Sequence, residues 1–571
     1  MVVTRPSTSP PRAQRLRRLI PLLVLAAGAL AGGLVAGGAH VPAERQLATR
    51  FATAWEREDY AEMHAMLTPQ SRAETSLRRF ERTYRRARVT ATLARLRAGR
   101  PGDVVDDVVA VPVEVRTRVF GDLEAEVVLP VSEDDDGEPA IAWAPHLVFP
   151  GLRPGERLTR TTRMPERETI EARDGTPMAE GEARLSDLDP LASEIAGRVG
   201  PAPPERADEL AERGVPEDAP VGLTGLEREF DAELAGTPGG ELLAGTRVLA
   251  RKEPEAGRSV RTTIDPDIQR AAVQALAGRY GGIAAVRPRT GEVLALAGLA
   301  FSAPQPPGSV FKIVTLAGAL EAGTVRRNES FPVQTAATLE GVELENANGE
   351  SCGGSLTASF AHSCNSVFAP MGAELGAEKL VAAAERFGFN AEPGLTGAAR
   401  STIPAAGEIG DDLAVGSTAI GQGKVLTTPL QMALIAAAIG EEGRLQQPTL
   451  RRGERTDSSQ AAPAPTARFI GRAMRAVVTD GTGVGADLDG IKVAGKTGTA
   501  ELRSTVSEDP VPPEPGEPTP EEDVTDTDAW FAAYAPTRNP RIAVCVLLIA
   551  QGAGGEVAAP AAAQVIDAAV G

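Results

Sequence analysis

The stretch APQPPGSVFK, residues 303–312, ends in a lysine, and this chain is sparing with lysine: six of its 59 basic residues are Lys, at 252, 312, 379, 424, 492 and 496, and the rest are Arg. Pro307-Gly308 closes a loop, and SVFKIVTLAGALEAG, residues 309–323, reads as a helix with Ser309 in its first turn. A spacing of three puts Ser309 and Lys312 on one face. A serine hydroxyl is a weak nucleophile until a base removes its proton. Lysine can be that base when burial or a neighbouring cation lowers its pKa, whereas arginine stays protonated. The choice of Lys at 312 is therefore a chemical choice, and the helix start beside it offers free N–H groups to a developing oxyanion.

Two further short motifs follow. AHSCNSVF, residues 361–368, carries Ser363-Cys364-Asn365 in an apolar helical setting, and AGKTGTAE, residues 494–501, carries Lys496-Thr497-Gly498 on a predicted strand. Ser363 can relay a proton between Lys312 and a leaving amine, and Asn365 can hold a substrate amide. Lys496 brings a second positive charge that lowers the pKa of Lys312 and suits an anionic substrate. Thr497 and Thr499 can hydrogen-bond a carboxylate, and Gly498 lets a substrate backbone come close to the strand.

SxxK, SxN and KTG in this order are the signature set of penicillin-binding proteins and serine β-lactamases. The chain resembles a class B penicillin-binding protein over nearly everything after residue 40. TIDPDIQRAAVQAL, IAAVRPRTGEVLALAG, PPGSVFK, FAHSCNSVFAPMG, AIGQGKVLTTPLQMALIAAAI, GKTGTAE and WFAAYAP follow one another in family order. LVFPGLRPGERL, RETIEARDGTPMAEG and GLTGLEREFDAELAGTPGG resemble the family's pedestal, or dimerisation, region. The segment AWEREDY and the junction HLVFPGL resemble the NTF2-like extension of the low-affinity penicillin-binding protein of methicillin resistance. The resemblance implies a serine D,D-transpeptidase. Ser309 attacks the D-Ala-D-Ala carbonyl of a peptidoglycan stem peptide and releases D-alanine, and a neighbouring amine resolves the acyl-enzyme. It also implies an oxyanion hole from the backbone N–H groups of Ser309 and Thr499, acylation of Ser309 by β-lactams, and a polytopic membrane glycosyltransferase partner. One departure is Arg167, followed here by Glu168 where the family usually has Gly; another is the length of the acidic segment after KTGTAE.

The expected fold is multidomain α+β. Residues 1–18 form a basic cytoplasmic tail and 19–39 a transmembrane anchor. Residues 41–150 form an NTF2-like α+β domain, 155–258 an elongated pedestal or dimerisation domain, and 260–571 a transpeptidase domain with helices around a five-stranded antiparallel sheet. The anchor reading rests on LIPLLVLAAGALAGGLVAGGA, whose 21 uncharged residues follow Arg12, Arg15, Arg17 and Arg18. At about 1.5 Å per residue such a helix spans a hydrocarbon core of about 30 Å, with the bulk of the chain outside the cell. Gly37-Gly38-Ala39 also fits a small-x-small cleavage site. STVSEDPVPPEPGEPTPEEDVTDTD, residues 504–528, is too rich in Pro and acid to bury a core and reads as a disordered loop.

A formal charge of −18 argues against a nucleic-acid binder, which needs a basic face, and much of the acidity is local. The histidines, at 40, 64, 146 and 362, and the cysteines, at 352, 364 and 545, show no metal-ligand spacing, and no cofactor motif is present. Cys352 precedes the second motif and Cys364 lies within it; a disulfide there would brace the Ser363 loop, and two separately buried thiols fit the sequence as well. Cys545, in the strand pattern RIAVCVLLIA, reads as core, and His362 reads as a packing residue. Gly421-Gln422-Gly423 reads as structural. GTGVGA, residues 481–486, lacks the strand–loop–helix context of a dinucleotide loop and reads as a plain turn. Two other functions fit the same fold: a β-lactamase, which needs a placed water and base that no motif announces, and a non-catalytic penicillin sensor or scaffold, disfavoured by three intact motifs.

Overall fold

The structure, a computed structural model, describes residues 41–186, 188–189, 191–501 and 527–571. The predicted tail and anchor lie outside the described residues, as does all but the end of segment 504–528. Among the described residues no helix is long and apolar enough to cross a membrane. The chain divides into two compact units. One runs to Thr161 and takes in 212–214 and 240–252; the other holds 162–211, 215–239 and 253–571.

In the first unit, helix α1 (Ala43–Glu56) buries Leu47, Phe51 and Trp55, the i, i+4, i+8 stripe of its sequence. Helix α2 (Leu77–Thr90) buries Phe80, Tyr84 and Ala87 and turns its arginines outward. Strands β1 (Leu93–Ala98), β2 (Val108–Thr117), β3 (Asp122–Glu133) and β4 (Pro139–Ile141) pair in that order. Strand β2 alternates strictly, with Val109, Val111, Val113 and Val115 inward. The acidic turn between β3 and β4 is tied by Asp134, whose carboxylate accepts from the backbone N–H of Asp136 and Glu138, both at 3.0 Å. Strands β5 (Leu158–Arg163), β6 (Gly239–Ala244) and β7 (Arg247–Lys252) make a further small sheet with β6 in the middle.

The second unit opens with short elements that organise around buried ion pairs. Arg167 donates to the Glu227 carboxylate at 2.7 Å, to Asp231 at 2.9 Å and to the Glu227 carbonyl at 2.9 Å. Arg184 takes the other Glu227 oxygen at 2.7 Å, and Arg206 the other Asp231 oxygen at 2.9 Å. Glu168, the departure from the family pattern, points elsewhere and accepts from Ser259. It leaves the Arg167 contacts intact.

The remainder of this unit is layered. Helix α3 (Pro266–Leu276) is capped by Asp265, whose side chain accepts from Asp267 N–H, with Pro266 in the first turn. Then come β8 (Gly281–Val286), β9 (Val293–Gly298), α4 (Lys312–Ala322), β10 (Cys352–Ser355), α5 (Leu356–Ala361) and α6 (Asn365–Leu375). Helices α7 (Pro429–Gly440) and α8 (Ala464–Asp480), strands β11 (Ala494–Glu501), β12 (Thr527–Ala535) and β13 (Ile542–Leu548), and helix α9 (Ala559–Val570) complete it. A five-stranded sheet runs in the order β9-β8-β13-β12-β11, antiparallel throughout. Residues of α3 and α9 pack on one face, and residues of α4, α7 and α8 pack on the other. Sandwiching explains why β8 and β13 are apolar runs, not alternating strands, and why α7 is apolar all round.

Candidate active site

The helix expected from Ser309 begins differently. Residues Gly308–Phe311 form a 3-10 turn and α4 starts at Lys312. A 3-10 turn has three residues per turn, so Ser309 and Lys312 are nearly eclipsed, closer than on an α-helix. Gly308 makes the turn feasible. It sits at φ +52°, and a Cβ there would lie 2.4 Å from the carbonyl oxygen of Thr499 on β11. Its N–H donates to the Gly421 carbonyl at 2.9 Å. Gly421, at φ +83°, would push a Cβ to within 1.9 Å of the Gly308 oxygen. The GQG segment read as structural is therefore the support behind the Ser309 turn.

Lys312 is fully buried, and its Nζ lies 3.0 Å from Ser309 Oγ. It lies 2.7 Å from the Ser363 carbonyl, 2.7 Å from Asn365 Oδ1 and 3.3 Å from Ser363 Oγ. Lys496 is fully buried too; its Nζ donates to Ser363 Oγ at 2.9 Å and to the Thr497 carbonyl at 2.9 Å. Among the described residues no carboxylate is hydrogen-bonded to either lysine. Each ammonium instead faces a ring, Lys312 that of Phe368 and Lys496 that of Phe360, both at 5.6 Å from the centroid. Burial, reinforced by the charge of Lys496, holds the Lys312 pKa well below the ordinary lysine range. Burial brings Lys496 down to about 7.

Ser363 was expected in a helical setting and His362 in a packed one. Instead α5 ends at Ala361 and α6 starts at Asn365, so both lie in the turn between them, with His362 exposed. Ser363 adopts φ +60°, rare for a residue with a Cβ. The turn is clamped next door by a disulfide between Cys352 on β10 and Cys364, whose Cα atoms are 5.5 Å apart. The Asn365 amide is engaged at both ends, its Nδ2 donating to the Glu345 carbonyl at 2.8 Å. Cys545 is a free, buried core thiol.

The strand motif divides by face. Lys496, Gly498 and Ala500 alternate with Thr497 and Thr499 along β11. A Cβ on Gly498 would lie 2.9 Å from the Pro307 oxygen, 2.9 Å from Trp530 Cβ and 3.0 Å from Val310 Cγ1. The space opened by this glycine on that face is filled by the turn that carries Ser309 and by the next strand. Thr499 is half-exposed beside the turn, and Thr497 Oγ1 is hydrogen-bonded to Thr482 Oγ1. Thus Ser309, Lys312, Ser363, Asn365 and Lys496 form one bonded cluster, with Thr497 and Thr499 on the strand that borders it. Thr482 was missed: its only sequence signal is the glycine pair around it in GTGVGA.

Three family models match the chain. Residues 281–567 match the penicillin-binding protein transpeptidase domain, 43–156 the NTF2-like N-terminal transpeptidase domain, and 163–262 the penicillin-binding protein dimerisation domain. The chain belongs to the penicillin-binding protein transpeptidase family. It is 32% identical over 414 residues to the peptidoglycan D,D-transpeptidase PbpA of Mycolicibacterium smegmatis, covering 61% of this chain and 79% of that protein. The crystal structure of PBPA from Mycobacterium tuberculosis superposes with a TM-score of 0.56 at 27% identity, over 71% of this chain and 99% of the other. The penicillin G acyl-enzyme complex of penicillin-binding protein A from the same organism gives 0.55 at 26% identity, over 71% and 100%.

Proposed function

We propose that this protein is a serine D,D-transpeptidase that cross-links peptidoglycan stem peptides through an acyl-enzyme on Ser309 and is acylated there by β-lactams. The observation that carries the mechanism is the set of contacts at Lys312 Nζ. A neutral amine has two N–H bonds and one lone pair. The Ser363 carbonyl and Asn365 Oδ1 can only accept, so the two N–H bonds go to them at 2.7 Å each, and the lone pair is left for Ser309 Oγ at 3.0 Å. Lys312 then takes the Ser309 proton as Oγ bonds to the D-Ala-D-Ala carbonyl carbon. Backbone N–H groups of Ser309 and Thr499 stabilise the oxyanion. Ser363 Oγ, between the two lysines, passes a proton to the leaving D-alanine amine as the peptide C–N bond breaks. An acceptor amine reverses the sequence and forms the cross-link. Thr497, Thr499 and Lys496 receive the terminal carboxylate, and Asn365 orients the donor amide.

The working domain boundaries are 41–150 for the NTF2-like part, 155–258 for the pedestal and 260–571 for the transpeptidase part. The uncharged stretch 19–39 anchors the chain in the cell membrane with the enzyme outside, beside a polytopic glycosyltransferase that supplies nascent glycan. The three family matches support the domain division, and the arginine-flanked apolar stretch supports the anchor.

Purified protein incubated with a fluorescent penicillin should carry a label that survives denaturing electrophoresis, and Ser309→Ala should carry none. A label that forms and disappears within minutes would replace transpeptidase with β-lactamase. Absence of any label, together with failure to cross-link a synthetic stem peptide, would remove the enzymatic reading.

A further inference from the structure

The GTG turn that follows α8 contributes to the site in a way its sequence does not announce. Gly481 has an ordinary extended φ, so conformation does not require glycine there; space does, because a Cβ would lie 2.3 Å from the Ala361 carbonyl oxygen. Gly555 presses from another side, where a Cβ would lie 2.2 Å from the Thr482 oxygen. Held in this way, Thr482 donates its backbone N–H to the Ala361 carbonyl at 3.1 Å, two residues before Ser363. Its Oγ1 lies 3.4 Å from the same carbonyl and within hydrogen-bond reach of Thr497 Oγ1. Thr482 thus bridges the second and third motifs.

The two hydroxyls hold two protons, and the Ala361 carbonyl can only accept. If Thr482 donates to Ala361, Thr497 must donate to Thr482. The Thr497 hydroxyl then has only lone pairs to offer a ligand, which repel an anion. If Thr482 donates to Thr497, the Thr497 proton, on a residue only 5% exposed, is free for an incoming anion, and the chained arrangement polarises it. Lys496, whose Nζ bonds the Thr497 carbonyl at 2.9 Å, adds positive potential to that arrangement. We propose that Thr482 is a positioning residue that, by donating to Thr497 Oγ1, turns the Thr497 hydroxyl into a donor for the carboxylate of the incoming substrate or β-lactam. This deepens the transpeptidase reading and rests on it.

The test uses the full chain in detergent and two thioesters of one N-acyl-D-alanine, one whose leaving group ends in a carboxylate and one in which that carboxylate is a primary amide. Acylation of Ser309 is followed by intact-protein mass spectrometry over time. The Thr482→Val variant keeps the β-branched shape and the backbone bond to Ala361 and loses only the hydroxyl. It should acylate about five- to tenfold more slowly with the carboxylate thioester, the size of one ordinary hydrogen bond, and within twofold of wild type with the amide. Thr482→Ser should restore the carboxylate preference. Equal slowing with both thioesters would reduce Thr482 to a structural contact and overturn the proposal, as would no slowing with either, and both results would leave the transpeptidase reading standing. If wild type is acylated by neither thioester, the transpeptidase reading itself falls and takes this inference with it.

Discussion

Two clusters of buried cations in the same unit are built on opposite principles. Around Glu227 and Asp231, three arginines meet two carboxylates with fork geometry, and every charge faces a counter-charge. Around Ser363, two lysines meet hydroxyls, carbonyls, an amide and two phenylalanine rings, with no carboxylate hydrogen-bonded to them among the described residues. Arginine cannot shed its proton, so its burial is compensated by pairing. Lysine can, so its burial without a counter-ion lowers its pKa and makes the amine available as a base. The first cluster holds shape, whereas the second stores chemistry at a cost in stability.

The most direct way to break this comparison is to exchange the cation types. Lys312→Arg keeps a positive charge and removes the base, so Ser309 acylation should fall by about a thousandfold or more in a protein that still unfolds cooperatively, as read by intact mass against time. Retention of acylation would mean that charge alone is required at 312. The converse substitution, Glu227→Gln, strips Arg167 and Arg184 of their shared partner. It should lower stability in urea by about 3–5 kcal/mol while leaving the acylation rate of the folded fraction unchanged.

A third test addresses the Ser363 turn. The disulfide spans 12 residues of sequence, and replacing both cysteines by serine should cost about 2–3 kcal/mol by releasing the unfolded chain. Because Ser363 sits at φ +60° beside it, the acylation rate should fall as well, and a loss of stability with no change in rate would confine the bridge to a structural role.

The smallest expected effect concerns Lys496. Its pKa is about 7 in the folded protein and near 10.5 when unfolded, so between these values the unfolded state binds more protons. Stability therefore rises with pH across that window, and below pH 7 the penalty is fully present. Lys496→Met should flatten this rise and add about 1–2 kcal/mol at neutral pH. Urea titrations at pH 6.5, 8 and 9.5 check the sign.

How much could be read without coordinates differs between the two clusters. SxxK, SxN and KTG were legible because their chemistry resides in residue type and short spacing, and Lys in an Arg-rich chain marks the candidate base. In the other cluster, Arg167, Arg184, Arg206, Glu227 and Asp231 lie too far apart in sequence for any local pattern to pair them. The β2 alternation and the apolar runs of β8 and β13 were equally readable, since burial writes itself into hydrophobic periodicity.

By itself, then, the sequence determined which residues are the candidates for nucleophile, base and relay, and the division into a small α+β part and a large motif-bearing part. Tertiary structure decided the rest. It set the 3-10 turn at Ser309, the left-handed Ser363, the pairing of Cys352 with Cys364, the back-to-back contact of Gly308 and Gly421, and the bridge from Thr482 to Thr497. The physical reason is reach. A side chain's chemistry and its nearest neighbours along the chain are local properties, whereas contacts between residues tens to hundreds of positions apart exist only once the antiparallel sheet and its covering helices have closed around them.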